Sequence, residues 1–321
     1  MSDRGEDLKS KKLRGFIADQ KILLIILVIG IFLSIRSNYF LTFENITNIF
    51  YYISIEGIIV IGMAFLIILG EIDLSVGSMM ALGTVLAIVF QRYGVAVGIL
   101  AGICGGAVAG LINGILVTKL RLTSIAVTLG MMVLLNGVVF AITKAHTIPG
   151  TNDAFPLLAQ TKVLNIPLPI IIYIVLLIAF EILLQKTFFG RNIFAVGGNI
   201  TASKFFGIKV DSVRIMCFTI SGMLSGFAGV ILAAKLHVAS GRIGMYTALL
   251  VITAVLLGGI SLQGGEGSIF KAFQGILLIG TLNNAMVLMR ISPFIQEMVR
   301  GLLLILILVI DAINIRKKKY I

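Results

Sequence analysis

The chain has 321 residues, 59% hydrophobic and only 12% charged, with a mean hydropathy of +1.10. A soluble fold of this length would be left with apolar patches large enough to drive association, whereas apolar runs of about 17 to 25 residues match the hydrocarbon thickness of a bilayer. The net charge of +12 does not mark a nucleic-acid binder: the bases gather before the first apolar run, in 186–214 and in the tail Arg316-Lys317-Lys318-Lys319, where membrane proteins keep cytoplasmic positive charge.

The pattern predicts an all-α integral membrane protein, a polytopic bundle of about ten transmembrane helices. The runs fall near 20–36, 49–69, 75–91, 93–117, 122–143, 168–185, 213–235, 245–260, 268–289 and 295–313. Residues 1–19 read as a cytoplasmic N-terminal segment, 20–315 as one transmembrane domain and 316–321 as a basic cytoplasmic tail. The first run ends in Ser34-Ile35-Arg36-Ser37 without a small-x-small cleavage signature, so it is expected to stay as a helix. With both termini cytoplasmic, the inner side holds seventeen basic residues and the outer side seven. The inner set is Arg4, Lys9, Lys11, Lys12, Arg14, Lys21, Lys119, Arg121, Lys186, Arg191, Lys204, Lys209, Arg214 and the four tail bases; the reverse orientation would invert the ratio.

Several features along the runs carry more than hydrophobicity. The break at Gly70–Ser75 places Glu71 and Asp73 between apolar runs, and intramembrane acids are functional candidates by default. They are expected to line a solute path or, as for Asp73 and Ser75, to cap the following helix. In the fourth run Gly102, Gly106, Gly110 and Gly114 recur every four residues, a smooth face for close helix packing; Ser221, Ser225 and Gly229 do the same in the seventh. Asn113, Asn136, Asn283 and Asn284 are amides inside apolar runs, suited either to hydroxyl-bearing ligands or to interhelical hydrogen bonds. Glu56 has no evident partner, and Glu181 is expected to face headgroups. Cys104 and Cys217 have no metal or redox spacing and read as small buried hydrophobes. Lys144–Pro167 reads as a turn-rich loop with room for a short helix.

Two segments stand apart. Gly70-Glu71-Ile72-Asp73-Leu74-Ser75-Val76-Gly77-Ser78 is echoed by Gly258-Gly259-Ile260-Ser261-Leu262-Gln263-Gly264-Gly265-Glu266-Gly267-Ser268, a possible internal repeat. The loop 186–212 mixes bases and glycines with Phe188, Phe189, Phe194, Phe205 and Phe206, and 200–206 is expected to form a short amphipathic helix ended by Gly207. Such a helix suits a membrane surface or a groove on a partner protein.

Gly70-Glu71-Ile72-Asp73-Leu74-Ser75-Val76-Gly77-Ser78, Asn113-Gly114, Thr128-Leu129-Gly130, Gly190-Arg191, Ala195-Val196-Gly197-Gly198-Asn199, Leu257-Gly258-Gly259 and Asn283-Asn284 together resemble the permeases of bacterial ABC importers for ribose, xylose, galactose and related monosaccharides. Some relatives carry a furanone-type autoinducer. The resemblance runs from about residue 45 to 312. It implies a multi-pass protein of the bacterial plasma membrane, in contact with lipid, that pairs with a second permease copy or paralogue. It also implies an ATP-binding cassette subunit that uses ATP and Mg, and an extracytoplasmic sugar-binding protein. Segment 190–208 would then be the coupling element for the ATPase, through Gly190, Arg191, Ala195, Gly197, Gly198, Asn199, Ala202 and Gly207. Glu71, Asp73, Ser75, Asn113, Asn136, Asn283 and Asn284 become candidates for the translocation path. Relatives usually have glycine at Glu71, often a base at Glu266, and acidic residues in the stretch that here reads Gly244–Leu250.

The chain has no Gly-x4-Gly-Lys-Ser/Thr loop, so it needs a separate ATPase, and it is expected to bind no cofactor and no metal and to catalyse no reaction. Its rivals are an ion-coupled secondary transporter of a small polar solute, for which Glu56, Glu71 and Asp73 are thin material, and a membrane-embedded enzyme. The only histidines, His146 and His237, sit in no hydrolase or zinc motif.

Overall fold

The computed structural model describes residues 21–319, with side chains described for 22–313. Among them the helices are, in chain order, α1 (Lys21–Arg36), α2 (Phe43–Ile68), α3 (Val76–Phe90), α4 (Val95–Lys119), α5 (Ser124–Thr143), α6 (Leu157–Gln160), α7 (Leu168–Lys186), α8 (Phe188–Gly198), α9 (Ile200–Phe205), α10 (Val210–Leu236), α11 (Thr247–Leu257), α12 (Ile269–Leu288) and α13 (Pro293–Lys319). Each of the ten apolar runs holds one of the longer helices. Arg4, Lys9, Lys11, Lys12 and Arg14, and the side chains of the tail bases, lie outside the described residues.

Among the described residues seven helices are long and apolar enough to cross a membrane: α2, α3 with the 3-10 turn Gln91–Tyr93, α4, α5, α7, α10 and the Pro293–Ile313 part of α13. α1 is shorter, and α12 is diluted by Lys271, Gln274, Asn283 and Asn284. α11 has 11 residues, which rise only about 16 Å, roughly half the hydrocarbon core.

α2 is the spine. It starts six residues before the apolar run because the Thr42 side chain caps it, accepting a 3.3 Å hydrogen bond from Asn45 N–H, so polar Glu44 and Asn45 belong to its first turn. From Ile53 to Leu69 it is almost wholly buried, against α7, α10, α11 and α12. α13 is its opposite, with only 6% of its apolar window buried, so this face is left for lipid or another subunit.

α3, α4 and α10 meet backbone to backbone. A Cβ on Gly106 would fall 2.9 Å from Gly226 Cα and closer still to the Gly222 carbonyl. One on Gly110 would meet Phe218 O, one on Gly114 would lie 2.8 Å from Ile215 Cα, and one on Gly102 would lie 2.9 Å from Gly83 O on α3. Nothing larger than hydrogen fits along this seam, which is how helices gain close packing where lipid supplies no hydrophobic drive. Cys217 is buried, but Cys104 is exposed, because it sits off the glycine face of α4; the expectation that both are buried holds for one.

At the end opposite α8, β1 (Ile148–Pro149) and β4 (Val238–Ala239) pair antiparallel, with Ile148 opposite Ala239. A hairpin joins β2 (Lys162–Val163) to β3 (Ile166–Pro167) through Leu164 and Asn165, both with positive φ. The loop 144–167 thus carries short strands beside the expected short helix, α6.

The 186–212 segment is two helices and not a loop. Thr187 caps α8 by accepting from Gly190 N–H at 3.2 Å, and Asn199 caps α9 by accepting from Ala202 N–H at 2.9 Å. Gly207, at φ +77°, follows α9. Gly190 is needed where α8 folds back on the Leu184 carbonyl.

Gly106→Ala is expected to destabilise the protein by about 1–3 kcal/mol through overpacking. Gly137→Ala, which meets open space, should be neutral or gain up to about 1 kcal/mol of helix propensity. Thermal unfolding in detergent separates them, and equal melting temperatures would remove the seam from the account.

Candidate functional site

Two helix breaks and the α8 helix meet at one place. In the first break, α2 ends at Ile68 and the chain turns through Gly70 at φ +80°, with Gly70 N–H donating to Ile67 O at 2.9 Å and Glu71 N–H to Leu66 O at 2.8 Å. The next amides are satisfied by α5 side chains: Ile72 N–H donates to Ser124 Oγ at 3.4 Å and Leu74 N–H to Thr128 Oγ1 at 3.1 Å. In the second break, Gly259, Gly264 and Gly265 take positive φ and Gly265 N–H donates to Ile68 O at 2.7 Å. The two breaks are therefore joined by a main-chain hydrogen bond.

α8 closes the junction. A Cβ on Gly197 would lie 2.8 Å from Gly265 N and against Ile68 O. One on Gly265 would lie 2.9 Å from Gly198 Cα, and one on Gly264 would lie 2.9 Å from Gly70 N and 3.1 Å from Gly197 O. Three backbone segments approach so closely that no side chain fits between them. The inner face of α8 is anchored by buried Ile193 and Val196 and by Phe189, stacked on Phe65 at 6.4 Å. On the other face Phe188 is 80% exposed with Arg191 over its ring at 4.2 Å, and Phe205, the last residue of α9, and Phe206 just after it are exposed. Arg191, Ala195, Gly198 and Asn199 are exposed, Gly190 is buried, and Gly197 and Ala202 are half-buried.

The polar candidates separate into two clusters. Asp73, Ser75 and Asn113 form the first, all fully buried. Asp73 Oδ1 accepts from Ser75 N–H at 2.8 Å and Ser75 Oγ at 2.5 Å, and Asn113 Nδ2 donates to Ser75 Oγ at 2.9 Å and Asp73 Oδ2 at 3.4 Å. Asp73 thus holds the first turn of α3, where Ser75 is the N-cap. Glu71, beside this cluster, is ion-paired with Arg214 of α10.

The second cluster surrounds Arg300 on α13. Its Nη2 donates to Asn283 Oδ1 at 2.6 Å and its Nη1 to Glu297 Oε1 at 2.7 Å, while Nε is buried with no partner. Glu56, whose Oε2 is also buried and unpartnered, lies within electrostatic reach of Arg300. The neighbouring Asn284 turns away and exchanges two hydrogen bonds with Asn45 of α2, at 2.8 and 3.1 Å. Asn136 is half-buried on α5 and makes none of the hydrogen bonds of either cluster. Glu181 does not simply face headgroups, because its Oε2 accepts from Ile269 N–H at 2.7 Å and caps the start of α12.

The family described as branched-chain amino acid transport system, permease component, matches residues 45–308. The chain belongs to this permease family. It is 40% identical to the ribose import permease protein RbsC of Bacillus subtilis over 288 residues, 88% of this chain and 89% of that one. It is 38% identical to the L-arabinose transport system permease protein AraH of Escherichia coli K12, covering 87% and 86% of the two chains. With the D-allose transport system permease protein AlsC of the same strain it shares 33% identity, covering 89% and 88%. No solved structure matches. The relatives named for sugars are permease proteins of transport systems, and this chain shares their family and, among its described residues, seven helices long and apolar enough to cross a membrane.

Sequence reasoning missed Arg214, assigned to a loop, and left Arg300 and Glu297 unassigned. The signal was present: a base or acid inside an apolar run asks for a partner, and Arg214 and Arg300 are the bases nearest Glu71 and Glu56. For the Glu71–Arg214 pair, side chains 9% and 18% exposed, Arg214→Leu strands a buried carboxylate and should cost about 3–5 kcal/mol. The double variant Glu71→Leu/Arg214→Leu should recover most of that loss. A double variant as unstable as the single one, in chemical unfolding from mixed micelles, would show that the pair is not the source.

Proposed function

We propose that this permease forms the translocation path of an ATP-driven importer for a monosaccharide such as ribose. A separate ATP-binding cassette subunit, which holds ATP and Mg, docks on α8 and α9. The other partners are an extracytoplasmic sugar-binding protein and a second permease, identical or similar. In this reading the ten long helices all cross or enter the bilayer, residues 1–19 and 316–321 lie in the cytoplasm with α8 and α9, and the β1–β4 end meets the binding protein. The likeness to permeases named for ribose, L-arabinose and D-allose supports the substrate class.

The observation that carries the coupling is the junction of Gly197–Gly198 with both breaks. The docking face has what a partner groove selects: exposed Phe188, Phe205 and Phe206 around a base, with capped backbone beneath. When two ATPase subunits close, α8 is displaced; because it abuts Ile68 and Gly265 without intervening side chains, both breaks move with it. One break leads into α3 and the other into α12, so a single push reaches helices in both halves of the chain. The solute moves only if the two states differ in affinity for it or for its carrier.

Gly197→Val places a branched side chain where Gly265 N and Ile68 O already stand. It should abolish sugar uptake and the stimulation of ATP turnover by the liganded binding protein, with normal amounts of the variant in the membrane. Proteoliposomes holding the permease, its ATPase subunit and the binding protein provide the assay. Wild-type uptake by this variant would overturn the coupling role of α8.

A further inference from the structure

Between α11, α12 and α13 lies a cavity of about 270 Å³, close to the size of a small-ligand pocket. Its walls are mainly apolar, with Leu249 and Ile279 among them, and its polar groups are Tyr246, Thr253, Glu297 and Arg300. Tyr246 stands just before the first turn of α11, the half-length helix, and the backbone ahead of it, at Gly244, touches Gly77 in the first turn of α3. Two helix starts therefore meet beside the cavity, and half-helix ends are where transporters place their solutes.

The charged wall is incompletely satisfied. Arg300 spends Nη1 on Glu297 and Nη2 on Asn283, and its Nε–H has no acceptor; Glu56 Oε2, behind it, has no donor. Glu297 and Arg300 stand three residues apart on α13, so their ion pair joins no two helices, and both side chains line the cavity. Here Glu297 keeps 44% of its side chain exposed and Arg300 24%. The first cluster differs in exposure: Asp73, Ser75 and Asn113 are enclosed completely, and although Asn113 Oδ1 and the neighbouring Arg214 Nε also lack partners, neither residue lines the cavity.

We propose that this cavity is a solute-recognition site and that Arg300 and Glu297 read the hydroxyl groups of a neutral sugar. This rests on the importer reading above and names the residues that would hold its substrate. A carboxylate beside a guanidinium supplies an acceptor and donors at the spacing of vicinal hydroxyls, both charge-assisted. The apolar wall and Tyr246 suit the C–H face of a sugar ring. Because the arginine is already balanced by carboxylates, the site gives no net attraction to a phosphorylated or otherwise anionic sugar. Asn283 positions the guanidinium and is not itself a contact.

The test uses the assembled importer in proteoliposomes, with D-ribose, L-arabinose and D-allose as probes. Glu297→Gln and Arg300→Lys should each raise the KM for uptake about tenfold or more, the loss expected for one charge-assisted hydrogen bond. They should also change the order of preference among the three sugars, which a merely structural role would not. Glu297→Asp should restore part of the affinity, and Cys104→Ser, on an exposed position of α4, is the neutral control. Unchanged KM and sugar order, or an equal loss for all three sugars together with a lower melting temperature, would overturn the proposal. Failure of the importer reading would look different: the wild-type assembly would show no ATP turnover responsive to the binding protein. In that event D-ribose titrated onto the permease in nanodiscs decides the site alone. Binding that Arg300→Met removes supports it, and absence of binding overturns it.

Discussion

Main chain that leaves helical geometry inside a membrane protein must find its hydrogen-bond partners within the protein, because lipid offers none. That constraint shapes this permease at its two breaks. The first is satisfied by Ser124 and Thr128 from α5 and by Asp73 from within; the second borrows the Ile68 carbonyl at the end of α2. The solution ties the breaks to each other and, through glycines that let three backbones touch, to α8. Packed backbones are stiff, so a displacement imposed on α8 is not absorbed by side-chain rearrangement. The same close approach governs the α3–α4–α10 seam, where glycines bring the helix backbones together.

The two polar clusters serve different ends because they are closed to different degrees. Asp73, Ser75 and Asn113 are enclosed and pin the start of α3. Arg300 and Glu297 border a cavity, and Asn283 is hydrogen-bonded to Arg300, whose Nε has no acceptor. The Glu71–Arg214 pair belongs with the first kind: it ties the first break to α10. Of the path candidates read from sequence, Asp73 and Asn113 are fully buried in the first cluster and Asn283 accepts from Arg300 in the second.

Much of this was legible in the sequence. Hydropathy placed a helix in each of the ten apolar runs, seven of them long and apolar enough to cross a membrane, since burying or lipid-exposing an apolar run looks the same in one dimension. The capping role of Asp73 followed from its place before an apolar run, and the glycine spacing of four exposed the α4 seam. The misses share a cause. The start of α2 was hidden because a polar first turn capped by Thr42 carries no apolar signal. The helicity of α8 was hidden because its glycines serve packing, which is a tertiary fact. Arg214 finds Glu71 143 residues away and Arg300 finds Asn283 17 away, contacts between helices that no local pattern encodes, whereas the Arg300–Glu297 pair is a local i,i+3 contact that the spacing could have given. Asn283 and Asn284, adjacent in sequence, point to different neighbours because successive helical residues diverge by about 100°.

The central claim is that α8 and the two breaks move as one body when the importer is energised. The direct measurement is a pair of spin-label distances in the assembled transporter, nucleotide-free and ATP-bound, with the two native cysteines replaced. Labels at Arg191 and Gln263 span the junction, and labels at Arg191 and His146 span the bundle. The account predicts that the first distance is the same in both states while the second changes. A junction that opens on ATP binding while sugar uptake proceeds normally would contradict it.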